Sequence, residues 1–144
     1  MLKTYRLCDG MLGQNYWLHG CIAYQMACLG EEPAYDYWFF SDVSGDSCTQ
    51  LFSRFPGVIA RYPSLNTLDQ AQVDALYGAC GYSAELVPVA PGEQAAHLPR
   101  IRRHLDAGAP VLARREDFCA VCGYEDGALL CLPPDQAAPQ RMPL

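Results

Sequence analysis

Residues 13–30, GQNYWLHGCIAYQMACLG, place a glutamine seven positions before the cysteine of a Gly-Cys pair. Ile22, Met26 and Leu29 recur at three- and four-residue spacing, which predicts a helix over residues 19–30 that Gly30 terminates. A cysteine at a helix start faces unpaired backbone N–H groups and the positive end of the helix dipole, and both stabilise the thiolate. The Gln14 side chain, folded back, would donate to an oxyanion developing beside the Cys21 sulfur. Those are two of the parts that acyl transfer through a thioester requires. A plainer reading makes Cys21 a small hydrophobe that lets the helix start pack tightly.

A nucleophile also needs a base, and the chain has three histidines. His19, two residues before Cys21, would depress the thiol pKa as an imidazolium if the chain curled back across the helix start. His97 and His104 fall on a predicted helix over 93–107, where Arg102, Arg103 and His104 read as a solvated face. Surface histidine is the plain reading of all three. Cys119-x-x-Cys122 lacks the second pair of ligands that structural zinc requires, and no glycine-rich phosphate loop exists, so no metal and no cofactor are expected.

The elements around these residues are helical first and strand-like later. Residues 33–40 predict a short aromatic helix, and residues 44–52 read as either a helical turn or a strand. Asn66 or Thr67 is expected to cap a helix over 68–80, with Leu68, Val73, Leu76 and Tyr77 inward. Strands are expected at 82–89, 110–113, 118–124 and 128–132, the last two joined by a Glu125-Asp126-Gly127 hairpin turn. Residues 133–144, with four prolines, read as a tail or a truncated continuation after a single domain over 1–132. The expected class is α+β, N-terminal helices packed on a small antiparallel sheet.

Composition narrows the partners. The 144 residues carry 16 Asp plus Glu against 10 Lys plus Arg, a net charge of −6, which argues against nucleic acid or an anionic membrane. No apolar run approaches the roughly 20 residues of a membrane helix, and no signal-peptide core opens the chain. A cytoplasmic location with reduced thiols follows as the expectation for the eight cysteines. Tyr16, Trp17, Tyr35, Tyr37, Trp38, Phe39 and Phe40 are many aromatics for one small core, so they read either as core or as a pocket lining or oligomer interface.

Gln14, Gly20-Cys21, the helix ending Leu29-Gly30 and the later Gly123-Tyr124 strand pair together resemble the papain-like cysteine peptidase superfamily, in its bacterial bacteriocin-leader-processing branch. Tyr35–Phe40 with Ser44-Gly45, and IRRHLDAGAPV over Ile101–Val111, are similar to the N-terminal domain of the butirosin-biosynthesis acyltransferase and its relatives. The resemblance spans residues 14–132. It implies a papain-like fold, Cys21 as nucleophile, Gln14 at the oxyanion, and a peptide or a small acyl or amide substrate. In that family a histidine opens the strand about six residues before Gly-Tyr-Asp, and here Asp117 holds the place. Two functions therefore stay open: a thiol-dependent acyl transferase or amidase working through acyl-Cys21, or a catalytically inactive papain-like domain that binds a peptide or small molecule.

Overall fold

The computed structural model describes residues 2–14, 16–31, 33–45, 68–114 and 117–142. Cys48, the segment 46–52 and the expected caps Asn66 and Thr67 lie outside them. Among the described residues there are four α-helices and a four-stranded antiparallel sheet, which makes the class α+β. The helices are α1 (Trp17–Leu29), α2 (Tyr37–Ser44), α3 (Gln70–Gly78) and α4 (Gln94–Asp106), and a 3-10 turn, Gly10–Leu12, precedes α1. The strands β1 (Val111–Arg114), β2 (Phe118–Glu125), β3 (Ala128–Leu132) and β4 (Gln140–Met142) lie in sequence order across the sheet. The chain divides into two compact units, one of Met1–Phe40 with Val89–Leu144, the other of Ser41–Pro88.

In the first unit, α1 buries Leu18, His19, Gly20, Cys21, Ile22, Tyr24, Met26 and Ala27. Burial on so many sides marks a central helix rather than a surface one. It packs on β1 and β2. Gly30 ends it at φ 90°, a left-handed conformation that glycine adopts without strain, and its N–H reaches the Ala27 and Met26 carbonyls. By contrast α4 is amphipathic, buries Leu105, and turns Leu98 and Ile101 to a core of Leu105, Val121, Leu129 and Cys131. It runs on through Pro99 although proline removes one main-chain donor.

The β2–β3 hairpin turns at Asp126 (φ 46°) and Gly127 (φ 78°), the positive pair that a two-residue turn requires. A register shift between Val121 and Gly123 places a bulge at Cys122. Residues 133–144, expected to be a tail, contain β4, which pairs Gln140, Arg141 and Met142 with Cys131, Leu130 and Leu129.

Several boundaries differ from expectation, each for a local reason. The helix expected over 33–40 runs Tyr37–Ser44, because the Asp36 carboxylate accepts the Phe39 N–H at 2.9 Å and starts it there. In the second unit, Asp69 caps α3 and forms a reciprocal capping box with Gln72. The strand expected at 82–89 is not formed. Gln70 takes the place of a strand partner instead, donating to the Ala84 carbonyl (2.8 Å) and accepting from the Leu86 N–H (2.8 Å). One side-chain amide thus satisfies backbone groups that a ladder would otherwise pair.

Candidate functional site

Cys21 is the fifth residue of α1, not part of its first turn. The helix begins two residues earlier than expected because Tyr16 supplies the closing carbonyl, accepting from the His19 N–H at 3.2 Å. Tyr16 is itself held, its N–H donating to the Tyr37 hydroxyl at 3.0 Å. One turn inside the helix, the Cys21 thiol is away from the unpaired N–H groups that would favour a thiolate. It is wholly buried, and burial, with the Cys119 and Cys8 thiols in reach, raises its pKa well above the ordinary value.

His19 is separated from Cys21 by two helical positions, about 200° around the axis. Its ring sits edge-on between Tyr16 (4.5 Å between centres) and Tyr37 (5.5 Å). Burial of that imidazole lowers its pKa to about 4, so it is neutral at pH 7. Gln14 follows the 3-10 turn, and its side-chain oxygen accepts from the Asp9 N–H at 2.9 Å while its own N–H returns to the Asp9 carbonyl. Asp117 stands exposed before β2, next to Phe118, whose ring has the Arg114 guanidinium 5.3 Å above it. His97 is half-buried and His104 exposed on α4.

The Gly-Cys pair has a packing reason that its spacing alone did not disclose. Leu7 and Cys8 cross α1 at Gly20, so close that a Cβ there would meet the Leu7 carbonyl oxygen at 2.5 Å. The Cys8 thiol is pushed up to about 11 by burial, in spite of a hydrogen bond from the Gly20 amide. Residues 2–8 continue along α1. The Lys3 ammonium donates to the Ala27 carbonyl, the Tyr24 hydroxyl donates to the Lys3 carbonyl, and the Tyr5 and Tyr24 rings meet edge to face.

The seven described cysteines are free thiols, and no group of three or more His, Cys, Asp or Glu among the described residues is placed to hold a metal ion. No helix among them is long and apolar enough to cross a membrane. Of the aromatic group, Tyr37 and Phe40 are buried and Trp38 is exposed.

A second polar group gathers where sequence reasoning had none. The Tyr124 hydroxyl donates to the Asp106 carboxylate at 2.9 Å, and the Arg102 guanidinium lies 5.0 Å from the Tyr124 ring centre. The hydrogen bond to Asp106, which ionisation would break, raises the Tyr124 pKa, and the negative charge of that carboxylate raises it further. Eighteen residues separate the pair, so only folding joins them. Comparison with known proteins adds no relative: no family model, curated protein or solved structure matches the chain.

Proposed function

We propose that this chain is a papain-like domain without thiol catalysis, acting as a binding module for a peptide or small molecule. The observation that carries the reading is the state of Cys21: buried, one turn inside α1, and kept protonated by its surroundings. A thiol nucleophile reacts as its thiolate from a partly exposed, electropositive place. Cys21 has none of these attributes, and His19, the nearest imidazole in sequence, lies between the Tyr16 and Tyr37 rings. The papain-like element of the proposal rests on the order of motifs and on a cysteine-bearing helix that packs against an antiparallel sheet.

The test treats the folded protein at pH 8 with iodoacetamide, and in parallel with an acyl N-acetylcysteamine thioester, followed by peptide mapping. Cys21 is expected to stay unmodified until denaturant is added. A stoichiometric acyl adduct on native Cys21, lost in Cys21→Ser, would instead establish the acyl transferase or amidase reading. Stability offers a second check. A serine hydroxyl confined to this buried site lacks the solvation it has in water, so Cys21→Ser is expected to lose about 1–3 kcal/mol. Cys21→Ala is expected to lose less.

A further inference from the structure

Only half of β2 is covered by β1, whose residues Val111–Arg114 pair with Phe118–Val121. Beyond that point Gly123, Tyr124 and Glu125 pair with β3 on one side. The hairpin closes on Glu125 and Ala128 across a two-residue turn, so Glu125 and Gly123 direct their N–H and C=O groups to β3. Tyr124, between them, directs both of its main-chain groups to the edge that β1 does not reach, where no main-chain group of the described residues bonds to them. A main-chain contact already exists at that edge, where the Leu2 N–H donates to the Cys122 carbonyl at 2.8 Å.

A cavity of about 280 Å³ opens at the same place, lined by Leu2, Leu105, Asp106, Cys122, Gly123 and Tyr124. Its lining is mostly polar, and Asp106 gives it one carboxylate, which accepts from the Tyr124 hydroxyl. The volume is at the small end of ligand sites, which run roughly 300–1,000 Å³, and it suits a single side chain better than a whole metabolite. A donor and an acceptor on a strand edge, beside a pocket for one side chain, are what strand addition by a peptide uses: main-chain bonds for affinity, a pocket for choice. The Asp106 carboxylate in the lining, beside a Tyr124 ring that already carries the Arg102 guanidinium, is the charge that a cationic side chain would meet.

We propose that the open edge of β2 at Tyr124 docks an extended peptide, which adds as a strand and places a lysine or arginine side chain in the cavity against Asp106. The proposal rests on reading the chain as a binding module and names its ligand class. The test titrates the intact protein with the blocked pentapeptide acetyl-Thr-Val-Lys-Val-Thr-amide, followed by amide NMR. Saturable shifts are expected at Gly123, Tyr124 and Glu125, with slower exchange of the Tyr124 amide. Asp106→Asn is expected to weaken binding about tenfold, and a glutamate in place of the peptide lysine to abolish it, because the charge-assisted contact is lost or reversed. Absence of shifts at millimolar peptide, or binding indifferent to both changes, would overturn the site. The outcomes stay distinguishable: peptide binding alongside an acylated Cys21 refutes the non-catalytic reading and leaves the site standing. An inert Cys21 without peptide binding refutes the site alone.

Discussion

Gly20 and Leu7 are in contact without room for a side chain between them: a Cβ on Gly20 would lie 2.5 Å from the Leu7 carbonyl oxygen, and closer still to the Cys8 sulfur. Backbone cannot give way as a side-chain tip can. Gly20→Ala should therefore destabilise the protein by about 1–3 kcal/mol, as overpacked sites do, although alanine favours helix by roughly 1 kcal/mol. Gly78, the last residue of α3, has open space at its Cβ position, so Gly78→Ala should leave stability unchanged or raise it. Urea midpoints of the two variants, measured side by side, decide the matter.

His19 makes stability depend on pH. Well above pH 6.5 the imidazole is neutral in both folded and unfolded chains and contributes no pH dependence. Between about 6.5 and 4 the unfolded chain takes up a proton that the buried ring refuses, so its contribution to stability falls as pH falls. At pH 5 that contribution has fallen by about 2 kcal/mol, from 1.36 kcal/mol per unit. His19→Phe keeps a ring between Tyr16 and Tyr37 and removes the titration. Its urea midpoint should change less than the parent's between pH 7 and pH 5.

Gln70 holds the segment that fails to become a strand. Removing its carboxamide in Gln70→Ala takes away the bonds to Ala84 and Leu86 together. The residue is exposed, so the expected loss is about 1–2 kcal/mol, from two bonds of modest net worth. Exchange of the Leu86 amide should speed up in the variant, while the Cys131 amide, within the β3 ladder, keeps its rate. Amide exchange read by NMR distinguishes that local release from general unfolding.

Patterns with a short range were legible. The helix ending at Gly30, the Asp-Gly hairpin and the strands flanking it follow from residues a few positions apart, because a left-handed cap and a two-residue turn are settled by local backbone preference. Local chemistry also misled in identifiable places. Residues 82–89 have strand-like alternation, yet the carboxamide of Gln70 meets two of their main-chain groups from α3. Residues 133–144 have the prolines of a tail, yet Gln140–Met142 complete the sheet by pairing with β3.

The sequence by itself determined an acidic α+β chain with Cys21 on an apolar helix and Asp117 where the resembled family has histidine. Tertiary structure decided the surroundings of that cysteine. Gln14, Gly20 and Cys21 are read from spacing, but reactivity depends on solvation and on neighbours distant in the chain. Leu7 and Cys8 crossing at Gly20, and α1 packed on β2, hold Cys21 in a setting that favours the neutral thiol. The same long-range packing joins Asp106 to Tyr124 and leaves half of β2 beyond the end of β1. Spacing constrains which residues share a helix face or a strand; burial and charge arise only when those elements meet.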